Sequence, residues 1–177
     1  MLREWDKLPN NMRTEAVRPY YESLKKKKVS LALKRAFDVI ASTIMIVILS
    51  PLLIIISVLI VTDSKGGVFY RQERVTQYGK KFRIFKFRTM VANADKIGTQ
   101  VTISNDNRIT RMGSVIRKYR IDEIPQLFNI LLGDMSLVGT RPESVHYVKH
   151  YTPEMLATLL LPAGVTSEAS MVYSYYT

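Results

Sequence analysis

The 177-residue chain contains no cysteine. Disulfide frameworks, cysteine-ligated zinc or iron–sulfur centres and thiol catalysis are therefore excluded for it. Histidine is nearly as scarce, with only His146 and His150. A multi-histidine metal site is out of reach, and a Ser-His-Asp triad would have to recruit one of these two. Acidic residues are also few: 15 Asp and Glu stand against 26 Lys and Arg, a net charge of +11. That balance calls for an anionic partner, whether nucleic acid, anionic lipid or a phosphorylated substrate. There is no internal repeat and no low-complexity tract. The 47% hydrophobic content excludes wholesale disorder.

The positive charge is unevenly placed. Residues 1–35 carry ten Lys/Arg against four Asp/Glu, and residues 65–120 carry fourteen against three. Residues 121–177 reverse the sign, with two against six, and the acidic run begins abruptly at Asp122-Glu123. Between the two basic blocks lies VIASTIMIVILSPLLIIISVLIV, residues 39–61, without a charge. As a straight helix it would span roughly 34 Å, enough for a bilayer core. It starts too late, and lacks the small-residue site, for a cleavable signal peptide.

A single transmembrane helix is the plain reading of that segment. Two features favour another. Ser50-Pro51 sits at its centre, and proline removes a backbone donor and clashes with the preceding turn. Basic residues also flank both ends, Lys25–Lys28, Lys34 and Arg35 before it, Lys65, Arg71 and Arg74 after it. A spanning helix places its excess of Lys/Arg on one side only. A helix that enters, bends at Ser50-Pro51 and returns to the same face satisfies both flanks. The expectation is a monotopic protein in three parts. Residues 1–30 form a basic interfacial arm, residues 31–62 a re-entrant membrane helix broken at Ser50 and Pro51, and residues 63–177 a cytoplasmic catalytic domain. For the arm, a solvated charged tail is the equal alternative to an interfacial role of Trp5, Tyr20 and Tyr21.

The soluble part reads as α+β, a small sheet with surrounding helices. Residues 68–72 have strand character, 77–80 look like a turn, and 81–88 (KFRIFKFR) form the partner strand. Asp or Asn within 104–107 is expected to cap a helix carrying Ile109, Met112, Ile116 and Tyr119. A second helix is expected from Asp122, with Ile124, Leu127, Phe128, Leu131 and Leu132 as its apolar face and Gly133 ending it. A short strand from Met135 to Val138, a helix from Pro142 to about His150 and another over residues 153–161 complete the reading.

Asp122-Glu123 is the most informative pair. Carboxylates are common at helix starts, where the helix dipole favours them. These two, however, lie among cations: Arg117, Lys118 and Arg120 precede them, Arg141 follows, and Lys86 and Arg88 decorate the strand. Such cations could hold an anionic substrate, and a divalent metal could sit on the carboxylates. A carboxylate can also serve as a covalent nucleophile toward phosphorus, provided positive charge offsets the phosphates.

The order of motifs resembles the bacterial sugar transferase family, the monotopic phosphoglycosyl transferases. The matching stretches are Lys34-Arg35-Ala36-Phe37-Asp38, Ser50-Pro51, Phe69–Arg74, Phe85–Met90, Asp122–Asn129, Gly133–Gly139 and Arg141-Pro142, within residues 31–166. The resemblance implies transfer of a phosphosugar from a UDP-sugar to a polyprenol (undecaprenyl) phosphate, with release of UMP. It implies Asp122 as nucleophile and Mg²⁺ ligand, Glu123 as its assistant, and a covalent aspartyl phosphosugar intermediate. Lys86, Arg88, Arg117 and Arg141 are the expected phosphate contacts. The expected setting is the bacterial inner membrane, with the catalytic domain on the cytoplasmic side and the product feeding a surface glycan. Two departures from the family pattern stand out. Thr140 replaces the proline of Pro-Arg-Pro, and residues 161–170 (LPAGVTSEAS) replace Arg-Pro-Gly-Ile/Val-Thr-Gly. The chain ends at Thr177, sooner than the family pattern, so either a variant end or a shortened C-terminus is expected. A membrane-tethered basic nucleic-acid binder and a non-catalytic scaffold are the competing classes. Neither requires Asp122, and no nucleic-acid motif is present, so nucleic acid is not expected as a partner.

Overall fold

The computed structural model describes residues 2–94 and 106–167. Expectations that fall on residues 95–105 and 168–177 lie outside the described residues.

The longest element is α2, Lys28–Asp63, preceded by the two-turn helix α1, Arg18–Lys25. Pro51 lies inside α2, and the helix continues across it. The expected break is thus not an interruption of the helical run. Lacking an N–H, Pro51 leaves the Val47 carbonyl without its usual partner. The Ser50 hydroxyl donates to that carbonyl at 2.8 Å, which makes the proline tolerable.

One stripe of α2 lies along the soluble body from end to end. Arg35 donates to the Ile130 carbonyl at 2.7 Å. Asp38 is buried and accepts from Ser136 Oγ at 2.7 Å and the Leu137 amide at 3.2 Å, with Lys34 3.1 Å away. Met45, Ile46 and Leu49 follow, then Leu53, Ile56 and Ile60. Asp63 finally accepts from the Met112 amide at 2.9 Å. With buried Ser42 between Asp38 and Met45, these positions fall on one face of the helix. The opposite face, with Phe37, Ile40, Ile44, Ile48, Ile55 and Val58, is apolar and more than half exposed.

Residues 2–25 fold against the body instead of trailing. Leu8, Met12, Val17 and Tyr21 are buried with Val75, Leu159 and Leu160. The Trp5 ring meets Tyr21 edge-on at 5.0 Å, and the Tyr21 hydroxyl donates to the Arg3 carbonyl at 3.0 Å. The charged composition hid four apolar side chains spaced four or five residues apart, enough to seat the segment.

Strands β1, Phe69–Val75, and β2, Lys81–Phe87, form an antiparallel hairpin. Tyr78 (φ 60°) and Gly79 (φ 74°) turn it in the left-handed region. The free edge of β2 is closed by Asn129, fully buried, which accepts from the Phe85 amide at 2.8 Å and donates to the Arg83 carbonyl at 3.1 Å. A buried amide used this way satisfies two backbone groups at once.

Helix α3, Arg111–Lys118, starts later than expected. Thr110 caps it, its hydroxyl accepting from the Gly113 amide at 3.0 Å. Asp106 is held by Arg108 instead, 2.6 Å away. A 3-10 turn, Ile121–Glu123, precedes α4, Gln126–Leu132, so regular helix begins four residues after Asp122. Gly133 ends α4 at φ 86°, as the sequence implies. Its buried face differs from expectation: Ile130 is fully buried while Leu132 is 67% exposed. The later start rotates the face that meets α2 and β2. Strand β3, Met135–Val138, pairs in parallel with β4, Ala163–Thr166, which the sequence did not announce. Among the described residues there are thus two small sheets. The helix expected over 142–150 is one turn, α5, Val145–Val148, and residues 155–160 form a 3-10 turn.

Candidate active site

A cleft of about 470 Å³ opens beside the hairpin. Its walls include Phe69, Tyr70 and Lys86 of the strands, Arg117 of α3, and Asp122 and Glu123 of the 3-10 turn. Arg120, at φ 54°, kinks the chain out of α3 so that the next residues turn back over β2.

Lys86 Nζ lies 2.9 Å from Glu123 Oε1 and 3.9 Å from Asp122 Oδ2. Arg120 and Arg141 approach the same Glu123 at 3.4 Å and 3.8 Å. Burial pushes the Glu123 carboxyl up, but Lys86, Arg141 and Arg120 together outweigh it and hold the group below its ordinary range. For Asp122 the balance falls the other way. Burial raises it, Lys86 opposes, the adjacent Glu123 charge adds to the rise, and the net is upward. Two neighbouring carboxylates are thereby driven apart: one a fixed, tightly held anion, the other with a more basic oxygen facing the cleft.

Of the residues expected from sequence, the fold gathers Lys86, Asp122, Glu123 and Arg141 within ion-pair reach. Arg117 shares the cleft, its Nε donating to Thr89 Oγ1 at 2.7 Å. Arg88 lines the wall and is also tied to the chain behind it. It is 8% exposed, and its terminal nitrogens donate to the carbonyls of Lys65 at 2.6 Å, Ser64 at 2.7 Å and Ile60 at 3.4 Å. That is a cap on the C-terminal end of α2, favourable for a cation at the negative pole of a helix. Gly66, at φ 133°, gives it room, since a Cβ there would run into the guanidinium. Ser50 and Pro51 lie on α2, outside the cleft lining.

Arg120, Arg74 and Phe69 also line the cleft. The sequence offered Arg120 only as one of the cations beside Asp122, and Phe69 and Arg74 only as the ends of a motif stretch, without a role at the site. The donor set suits a hard divalent cation such as Mg²⁺, which binds through one or two carboxylates and completes its shell with substrate phosphate and water. Asp122 fits that role better than Glu123, which the cations already hold. Among the described residues, no group of three or more His, Asp and Glu offers an all-protein metal cage.

The model of the bacterial sugar transferase family matches residues 29–176. Over 146 residues the chain is 42% identical to a UDP-N-acetylgalactosamine-undecaprenyl-phosphate N-acetylgalactosaminephosphotransferase of Aeromonas hydrophila, covering 81% of this chain and 34% of that protein. A UDP-glucose:undecaprenyl-phosphate glucose-1-phosphate transferase of Klebsiella pneumoniae is 40% identical over 125 residues, 70% of this chain and 26% of that protein. An undecaprenyl-phosphate galactose phosphotransferase of Salmonella typhimurium is 37% identical over 155 residues, 79% of this chain and 32% of that protein. The chain thus spans about a third or less of these three relatives.

Proposed function

The chain belongs to the bacterial sugar transferase family, and from that premise we propose that it moves a sugar 1-phosphate from a UDP-sugar to a polyprenol phosphate and releases UMP. The observation that carries this reading is the split between the two carboxylates, Glu123 pinned by Lys86 and Asp122 raised beside it.

In the first step an Asp122 oxygen attacks the β-phosphorus. The bond from that phosphorus to the bridging oxygen breaks, and UMP leaves with the electron pair. In the second step a polyprenol phosphate oxygen attacks the aspartyl phosphorus, the acyl-phosphate bond breaks, and Asp122 is regenerated as a carboxylate. Lys86, Arg141 and Arg117 offset the phosphate charge, while Glu123 keeps Lys86 oriented. Mg²⁺, held by Asp122 and the diphosphate, would supply further neutralisation of charge on the leaving UMP. The relatives' names specify N-acetylgalactosamine, glucose and galactose at similar identity, so the sugar is left to experiment.

The two ends of α2 dock on the same body, Arg35 and Asp38 at one end, Asp63 at the other. Its free apolar face runs between them. With Leu49 and Leu53 on either side of Pro51 also packed on that body, this supports a helix whose free face enters one leaflet while both ends stay on one side, with the cleft at the cytoplasmic surface of the inner membrane. There a soluble nucleotide sugar and a lipid phosphate reach one site.

The test is UMP release in detergent with Mg²⁺, undecaprenyl phosphate and a panel of UDP-sugars, with Asp122→Asn in parallel. Lipid-dependent release that Asp122→Asn abolishes is the expected result. Undiminished release from Asp122→Asn overturns the mechanism.

A further inference from the structure

Four phenylalanine rings form a row across the hairpin. Phe128 of α4 lies 6.1 Å from Phe85 of β2, Phe85 lies 5.9 Å from Phe69 of β1, and Phe69 stacks on Phe87 at 5.7 Å. Only Phe87 belongs to a hydrophobic core cluster of the described residues. The other three hold no core together, and Phe69 is 43% exposed. Partly exposed rings in an unbroken row are unusual unless they meet something apolar.

The two ends of the row indicate what that is. One end, Phe69 and Phe87, lines the cleft that holds Lys86 and Asp122. The other reaches α4, where Leu132 is exposed to solvent. Helix α2 is anchored at the same two places. Met45, Ile46 and Leu49 pack on the cluster containing Leu127 and Ile130 of α4, and Leu53, Ile56 and Ile60 pack with Phe87. The stretch of α2 between these two anchors contains Ser50-Pro51. Arg71 lies over the Phe85 ring, 3.6 Å from its centroid. A cation on an aromatic face suits the level of anionic headgroups.

An apolar track that starts among phosphate-binding cations and leads toward an exposed apolar helix matches an amphiphile with a phosphate head and a hydrocarbon tail. A nucleotide sugar, soluble at both ends, has no use for it. We infer that the Phe69–Phe85–Phe128 row seats the first isoprene units of the acceptor. The acceptor's phosphate lies in the cleft, and its chain descends to the leaflet beside α2. This rests on the proposed transfer to a polyprenol phosphate.

The experiment uses the full chain in detergent, with Phe85→Ser, Phe128→Ser and the conservative Phe85→Leu. Neither position lines the cleft. Exchange of labelled UMP into UDP-sugar needs no acceptor and reads the first half-reaction alone. Transfer to polyprenol phosphates of about two and about eleven isoprene units reads the second, since each buried isoprene adds apolar contact. In both serine variants the KM for the long acceptor rises roughly tenfold, against about twofold at most for the short one. Exchange is retained, and Phe85→Leu resembles the parent. An unchanged KM for the long acceptor with exchange intact overturns the inference and leaves the transferase reading standing. A raised KM for UDP-sugar in the exchange assay also overturns it, assigning the row to the nucleobase. If the parent shows no exchange, the transferase reading itself fails and this inference with it. Should Phe85→Ser lose exchange through misfolding, Phe128→Ser decides.

Discussion

The ammonium of Lys86 is 2.9 Å from Glu123 and 3.9 Å from Asp122, so one cation is shared unequally by two adjacent carboxylates. Lys86 is the foremost lowering influence on both. Removing it as Lys86→Met moves both pKa values upward. Activity that needs ionised Asp122 is lost as pH falls through that pKa. The acidic limb of kcat/KM is therefore expected above the value of an ordinary aspartate, about 3.9. In Lys86→Met it shifts to higher pH still, and an unmoved limb contradicts the sharing.

Glu123 carries the opposite sign in stability. Its folded pKa is depressed, so its ion pairs stabilise the fold above the unfolded value of about 4.3 and lose that contribution as pH falls through the folded one. Glu123→Gln should flatten this acid dependence in unfolding experiments across pH 3–6. A parallel curve for the variant would show that Lys86, Arg120 and Arg141 do not stabilise through Glu123.

Arg141 approaches Glu123 at 3.8 Å from the loop after β3 and is half exposed. Truncation as Arg141→Ala is expected to leave the fold standing and to remove one cation of the proposed phosphate site. A loss in kcat/KM of about a hundredfold is expected, in line with removal of one preorganised charge-stabilising donor. Unchanged turnover would take Arg141 out of the phosphate site.

Gly113 packs against the backbone of Thr89, and a Cβ added there would collide with the Thr89 carbonyl. Gly113→Ala should destabilise by about 1–3 kcal/mol through overpacking. It should also disturb Thr89 and, through the bond to Thr89 Oγ1, Arg117. Thermal unfolding checks the first effect, and KM for UDP-sugar the second.

Because the native chain has no cysteine, single cysteines at Lys28 and Lys65 can be read without background. With both ends of α2 on one side of the membrane, an impermeant maleimide applied from that side labels both. Labelling of the two sites from opposite sides sinks the re-entrant reading.

Much of the fold was legible where the signal is local. The hairpin followed from alternation around a turn that needs positive φ, and Gly133 marked the end of α4. The Asp122-Glu123 pair and the cations around it could be picked out by type and spacing. Strand β4 could not, since four residues with a partner 28 positions earlier carry no local signature. Arg88 was expected among the phosphate contacts as a strand cation within the Phe85–Met90 motif stretch. Its actual partners are carbonyls more than twenty residues back.

The sequence by itself determined that this chain has an apolar helix, a cationic middle and one chemically distinctive acidic pair. Hydropathy, charge and residue type are properties of the chain, and they survive any folding. The tertiary structure alone decided which carboxylate Lys86 holds closely and which at a distance, which arginine caps a helix, and which side of α2 is covered. Those outcomes turn on distances between residues far apart in the chain, where an ångström separates a charge-assisted bond from a contact across solvent.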